Sequence, residues 1–217
     1  MKLVEEYIIK LRREYTAGSL DKSEVDPDPL NQLSKWLEEA VRAEVKDPHA
    51  MVIATASPEG APSARFVLLR GIGPEGLVFY TNYRSRKAAE IFSNPRAAAV
   101  LYWGELDRQV RVEGEVTRIS EAESDNYFGS RPRDSQIAAW ASNQSEILSS
   151  RNVLEESFTN YAAKFARKIV PRPPEWGGLI ILPAAFEFWQ GRPKRLHDRL
   201  LYSRSPDKSW KIERLAP

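Results

Sequence analysis

RFVLLRGIGPEGLVFYTN, residues 65–82, can be read as two different folds. Gly71, Gly73 and Gly76 satisfy G-x-G-x-x-G, the spacing that sets a pyrophosphate against a helix N-terminus in parallel α/β proteins. That mechanism needs a strand before the glycines and a helix after them. The glycines lead instead into LVFYTN, an aromatic and β-branched run, and Pro74 lies inside the motif. The stretch is therefore predicted to be strand, turn, strand, and the sheet to be antiparallel.

Working outward, AMVIATAS (50–57), RAAAVLYW (96–103) and RQVRVEGEV (108–116) extend the strand grammar, with a short helix predicted over 85–93. Val110, Val112, Gly114 and Val116 alternate with Arg111, Glu113 and Glu115, giving one packed and one wet face. Before the strands, Leu3, Val4, Tyr7, Ile8 and Leu11 recur at helical spacing and predict an amphipathic helix ending near Gly18. A second helix is expected from Pro29, capped by Asp28, with Leu30, Leu33, Leu37, Ala40 and Val41 as its buried stripe and Asp47-Pro48 as its end. After the strands, Ser120 and Glu123 form a capping box, and Leu154, Phe158, Tyr161 and Phe165 mark another helix before PRPPEW. Strands LIIL, AFEFWQG and LHDRLLYSR follow, with SPDKS turning into WKIERL at the end of the chain. The expected architecture is mainly β with peripheral helices (α+β): one domain over 1–217, an antiparallel small barrel with a helical segment at 1–47 and a helical insert at 120–168.

Composition narrows the chemistry. Hydrophobic residues make up 42% and charged residues 29% of 217, the balance of a chain that folds around a core. Thirty-two basic against 30 acidic residues leave a formal net charge of +2, so the global footprint of a nucleic-acid binder is missing. There is no cysteine and only His49 and His197, which makes a metal site improbable and is compatible with a reducing compartment. No apolar run approaches the roughly 20 residues of a membrane span, and a cytoplasmic location is expected.

Cations and hydroxyls nevertheless collect in particular segments: Arg65 and Arg70, Tyr80-Thr81, Ser85-Arg86-Lys87, Ser130-Arg131 with Ser135, and Gln144-Ser145. Such mixtures bind phosphate, although Arg86-Lys87 alone also reads as a solvated helix face. Arg65 and Arg70 are expected to point the same way as apolar Val67 and Leu69, which is costly unless an anion or a carboxylate meets them. In RLHDR, strand alternation would put Arg195, His197 and Arg199 on one face. That face is either the charged outside of an edge strand or a polar wall against a planar ligand. No G-x-S-x-G elbow accompanies the Ser, His and Asp residues, so triad hydrolysis is set aside.

Eight ordered blocks, LRREY (11–15), RFVLLR (65–70), FYTN with SRKA (79–88), RQVRVEG (108–114), YFGSRPRDSQIAAWASNQS (127–145), EFWQG (187–191), RLHDR (195–199) and WKIERLAP (210–217), resemble the pyridoxamine 5′-phosphate oxidase family over nearly the whole chain. The resemblance implies an FMN-binding split barrel and a homodimer with sites at the subunit interface. It also implies oxidation of pyridoxine 5′-phosphate or pyridoxamine 5′-phosphate to pyridoxal 5′-phosphate, with molecular oxygen reduced to hydrogen peroxide. By position, the implied FMN shell is Arg65, Phe66, Val67, Leu68, Leu69, Arg70, Tyr80, Thr81, Arg86, Lys87, Gln109, Gln144, Ser145, Trp189 and Arg199, with Arg86 and Lys87 on the phosphate. The implied substrate contacts are Arg70, Tyr127, Arg131 and Ser135 for its phosphate. Arg195, Leu196 and His197 would lie by its ring, with Arg195 and His197 as the catalytic pair, and Arg12, Arg13, Glu14 and Tyr15 in a closing segment. The family's strand usually ends in lysine where this chain has Arg70, which puts substrate affinity in question. A split-barrel flavin reductase and a non-catalytic pyridoxal phosphate binder are the alternatives.

Overall fold

The computed structural model describes residues 13–217. The helix expected over the first dozen residues, and Arg12 with it, lies outside the described residues. Residues 13–18 are not helical.

Nine strands and five α-helices occur among the described residues. Helix α1 (Pro29–Arg42) starts as expected, the Asp28 side chain accepting from the Leu30 N–H at 2.9 Å. It stops at Arg42, earlier than the Asp47-Pro48 boundary, because Glu44 and Asp47 adopt left-handed backbone. Its buried stripe includes Trp36, while Val41 is 58% exposed. Next come strands β1 (Ala50–Ala56), β2 (Pro62–Leu68), β3 (Gly71–Gly73) and β4 (Gly76–Asn82), then α2 (Arg86–Ser93), β5 (Arg96–Trp103) and β6 (Arg108–Arg118). Helices α3 (Glu121–Ser130), α4 (Arg133–Ala141) and α5 (Arg151–Lys164) form the insert, and β7 (Trp176–Gln190), β8 (Asp198–Arg204) and β9 (Trp210–Leu215) complete the chain.

All the pairing described here is antiparallel, in the order β2-β1-β5-β6-β7-β4-β3, with β8 joined to β7 and β9. The glycine-spaced segment is a hairpin: Gly73 pairs with Gly76 across Pro74-Glu75. Gly76 is needed for close approach, since a Cβ there would stand 1.9 Å from the Ile181 carbonyl oxygen of β7. Its role is strand packing, not phosphate binding. Strand β7 runs unbroken through Pro183, where two strands were expected; proline's fixed φ suits extended backbone even without a donor N–H.

Two compact units share β5, β6 and β7. Among the described residues the first contains 13–48, 101–111 and 185–217, and its core packs Trp36 edge-on to Trp103 and Phe188, with Phe186, Leu200 and Tyr202. The second contains residues 49–100 and 112–184. There Met51, Ile53, Leu77, Phe79, Ala99 and Val112 fill the sheet face. A satellite cluster of Phe128, Ile137, Phe165, Val170 and Trp176 anchors the helical insert. None of the described helices is long and apolar enough to cross a membrane.

Candidate functional site

Within the second unit lies a cavity of about 360 Å³, in the range of small-molecule sites. Strand β2 supplies Phe66, Val67 and Leu68 to one wall, and Arg70 comes just past the strand end. Strand β4 supplies Tyr80 and Thr81; α2 supplies Lys87. The insert contributes Tyr127, Arg131 and Gln144, and the start of β7 contributes Trp176. Residues far apart in sequence meet here because β4 and β7 pair directly, Thr81 opposite Gly177 and Asn82 opposite Trp176.

Lys87 is buried in the first turn of α2. Its Nζ donates to Thr81 Oγ1 at 3.1 Å and to Gln144 Oε1 at 3.0 Å. Burial, reinforced by the charge of Arg65, brings its pKa down to about 8. No carboxylate pairs with Lys87, Arg70 or Arg131 among the described residues.

Arg131 caps the C-terminus of α3, ahead of Pro132, and its guanidinium lies 4.5 Å from the Trp176 ring centroid. Its Nη1 is buried without a hydrogen-bond partner. Burial, and secondarily the Arg70 charge, weakens its hold on the proton, against the pull of Tyr127. A buried donor with nothing to donate to is costly, and a bound anion would relieve it. Beside it Tyr80 and Tyr127 stack at 3.7 Å and 15°, and Trp176 lies 13° from the plane of Tyr80. Flat aromatic faces and unneutralised cations are the complement of a phosphorylated planar heterocycle.

Arg65 and Arg86 do not line the cavity. Both turn to Glu90 of α2, Arg86 Nε at 2.8 Å and Arg65 Nη2 at 3.5 Å. Arg65 and Arg70 thus do not act as a pair on one strand face: β2 ends at Leu68, and the residues are an odd number apart. Leu69 is buried, its N–H donating to the His49 carbonyl at 2.8 Å. Ser145 has positive φ and accepts from the Arg86 N–H at 3.2 Å. Ser135 is half-buried in the first turn of α4, away from the cavity lining.

The first unit holds the other predicted residues, arranged separately. Tyr15 lies edge-on to Trp189 (5.6 Å) and His197 (5.2 Å). Gly191 is required beneath it, since a Cβ would come within 2.7 Å of the Tyr15 ring. The Arg195 and Arg13 guanidinium groups each stand 5.6 Å from that ring. His197 Nδ1 accepts from the Arg192 N–H at 3.0 Å; burial and then the Arg195 charge lower its pKa, favouring a neutral ring with its proton on Nε2. Arg199 forks onto Glu187 at 2.9 and 3.0 Å and also reaches the Ala216 carbonyl. Residues 195–197 are not a strand, because Lys194 and Arg195 take positive φ in the turn Pro193–Arg195 and β8 begins at Asp198. The expected shared face of Arg195, His197 and Arg199 therefore does not form. Gln109 is half-buried on β6, and Glu14 and Leu196 are exposed.

Sequence reasoning missed four residues. Glu90 was visible only as the i+4 partner of Arg86. Trp176 stood in a proline-rich break, while Glu187 and Asp107 gave no local signal.

Residues 37–164 match the family model described as pyridoxamine 5′-phosphate oxidase. The chain belongs to the pyridoxamine 5′-phosphate oxidase family. It is accordingly an oxidoreductase, and residues 176–217 match the pyridoxine 5′-phosphate oxidase C-terminal dimerisation region. A pyridoxine/pyridoxamine 5′-phosphate oxidase from Rubrobacter xylanophilus is 56% identical over 95% of both chains. One from Nostoc sp. is 52% identical over 97% of this chain and 98% of its own. Among solved structures, PhzG from Burkholderia lata, in complex with tetrahydrophenazine-1-carboxylic acid, superposes with a TM-score of 0.86 at 32% identity, covering 92% of this chain and all of its own. A pyridoxamine 5′-phosphate oxidase-related, FMN-binding protein from Nostoc punctiforme shares the fold at 20% identity, with a TM-score of 0.71 over 89% of this chain and all of its own. The fold is the split barrel expected from sequence.

Proposed function

We propose that the chain is a homodimeric, FMN-dependent oxidase. It converts pyridoxine 5′-phosphate or pyridoxamine 5′-phosphate to pyridoxal 5′-phosphate, with oxygen leaving as hydrogen peroxide and, from the amine, water consumed and ammonia released. The observation that carries this reading is the orphaned Arg131 Nη1 beside an aromatic stack, in a cavity whose cations meet no carboxylate among the described residues. Family membership supplies the reaction class, and the match to a dimerisation region supports the dimer.

FMN, when bound, supplies the acceptor for the hydride equivalent lost from the substrate's C4′ carbon. The chain's own work is placement. Lys87, polarised by Thr81 and Gln144, is the proposed grip on the cofactor phosphate; Arg65, whose charge is felt at Lys87, and Arg86, its neighbour in the chain, are proposed to support it from outside the cavity lining. Arg70, Arg131 and Tyr127 hold the substrate phosphate at a distance from the reacting carbon, so that binding energy fixes the ring's position. Burial of Trp176 and Phe128 behind Arg131 keeps water from competing for the guanidinium. A neutral His197 can donate from Nε2 without adding charge near the ring. These roles rest on residue chemistry and need no nucleophile or carboxylate dyad.

The test is an anaerobic absorbance scan. Purified protein should be yellow, bleach on addition of pyridoxine 5′-phosphate, recover in air and release peroxide. A yellow protein that does not bleach with either phosphate ester overturns the substrate, and a colourless protein that cannot be loaded with FMN overturns the cofactor. The likeness to PhzG favours one second reading, a carboxylate-bearing ring compound as substrate. Bleaching by such a compound but by neither ester would establish it.

A further inference from the structure

We infer that Glu90 is a positioning residue for the cofactor-phosphate grip, holding Arg65 and Arg86 in register from outside the cavity. The inference rests on the proposed FMN site. Glu90 is buried on the inner side of α2, with its side chain 10% exposed. Four side chains converge on it. Ser63 donates to Oε2 at 2.5 Å and Thr55 donates to the same oxygen. Arg86 Nε donates to Oε1 at 2.8 Å, and Arg65 Nη2 lies 3.5 Å from Oε2.

The hydroxyls close a ring. Thr55 Oγ1 accepts from Arg65 Nη1 at 2.6 Å, and Ser63 Oγ accepts from Arg65 Nη2, while both donate their own protons to Glu90. Each hydroxyl therefore has its donor and acceptor capacity committed in one direction, and the guanidinium plane of Arg65 is fixed by β1 and β2. The strong stabilisation of the Glu90 anion, with its pKa drawn down to about 2 chiefly by the Ser63 and Thr55 hydrogen bonds, fits this arrangement. Arg65, Arg86 and Lys87 against the single carboxylate leave two net positive charges, the complement of a dianionic phosphate monoester.

Charge and position predict opposite signs when Glu90 is removed. If only net charge mattered, deleting an anion beside three cations would tighten phosphate binding. If Glu90 positions the arginines, deletion weakens it. FMN and riboflavin separate this from general damage, because riboflavin lacks the phosphate. The experiment is fluorescence titration of refolded or flavin-stripped full-length protein with FMN and with riboflavin, for the parent, Glu90→Ala and Glu90→Gln.

Glu90→Ala should weaken FMN at least fivefold and leave riboflavin within twofold. Glu90→Gln, which keeps the shape and an acceptor for the hydroxyls, should weaken FMN at least twofold and less than the alanine variant. Unchanged or tighter FMN binding by either folded variant overturns the inference, as does a parallel loss of riboflavin. Should the alanine variant not fold, Glu90→Gln alone carries the same two outcomes. A parent protein that binds neither flavin would instead overturn the cofactor reading, so the two failures are distinguishable.

Discussion

Cationic side chains crowd two places in this chain and are balanced in opposite ways. In the first unit most are paired with carboxylates: Arg13 meets Asp107, Arg192 and Arg214 meet Asp198, and Arg111 and Arg199 share Glu187, while Arg195 stands against the Tyr15 ring. Around the cavity of the second unit, Lys87 meets hydroxyls and an amide oxygen and Arg131 meets aromatic faces, and neither they nor Arg70 pair with a carboxylate among the described residues. A buried cation that is paired has its desolvation offset within the chain; one that is unpaired destabilises the folded state unless something arrives. The first arrangement belongs to structure and the second to binding. Variants in the two places should therefore register in different measurements.

The largest effect is expected from Lys87→Met, which keeps the length and removes the charge. Charge-assisted hydrogen bonds contribute about 1.5–3 kcal/mol, so the FMN dissociation constant should rise up to about a hundredfold by fluorescence titration. The melting temperature should hold or rise, since a desolvated ammonium has gone. A large drop in melting temperature with unchanged FMN affinity would reverse the assignment of this region. Arg131→Ala comes next: kcat/KM for pyridoxine 5′-phosphate should fall at least tenfold, about 1.4 kcal/mol, with FMN retained. A change below twofold in steady-state kinetics removes Arg131 from the substrate site.

The pH dependence sharpens the same contrast. Lys87 loses its proton as pH rises through about 8 in the folded protein, whereas an ordinary lysine holds its own to about 10.5. A phosphate monoester is already dianionic over that range. FMN affinity should thus be greatest near pH 7 and fall about tenfold between pH 7 and pH 9, as the protonated fraction of the free site declines. In Lys87→Met the slope should vanish. Retention of the slope in that variant would trace it to another group.

How much of this was legible in the sequence depends on the range of the interactions. The Asp28 cap, the Ser120–Glu123 box and the Gly73–Gly76 hairpin are local, and they form where the residues placed them. Helix α4 carries no such cap, its N-cap being Pro132, and SRPRDSQ read as a polar packet, not as a helix start. The backbone turn at Lys194-Arg195 broke the expected strand because positive φ at a non-glycine residue leaves little trace in composition. In the site, the cations and hydroxyls were recognisable by type. Their partners were not, because Glu187, Trp176 and Asp107 reach them through strand pairing and loop contacts far removed in sequence. Glu90 lies one helical turn from Arg86, yet its tie to β1 and β2 could only be seen in three dimensions.

Asp107→Asn should give the smallest effect and bears most directly on the paired region. Asp107 is almost fully buried and left-handed at φ 53, a conformation asparagine tolerates, so the backbone need not change. Its carboxylate accepts from Arg13 and from the Thr16 and Ala17 N–H groups at 3.2 and 3.3 Å, tying down the segment that carries Tyr15. Asparagine keeps one acceptor and loses the charge, and Arg13 is half exposed, so the cost should be about 1 kcal/mol. Urea denaturation should show a lower midpoint at unchanged slope, with FMN affinity within twofold of the parent. An unshifted midpoint would mean that this ion pair is solvated and stabilises nothing. Weakened FMN binding would mean that the paired cations also serve the ligand, and the division between the two regions would no longer hold.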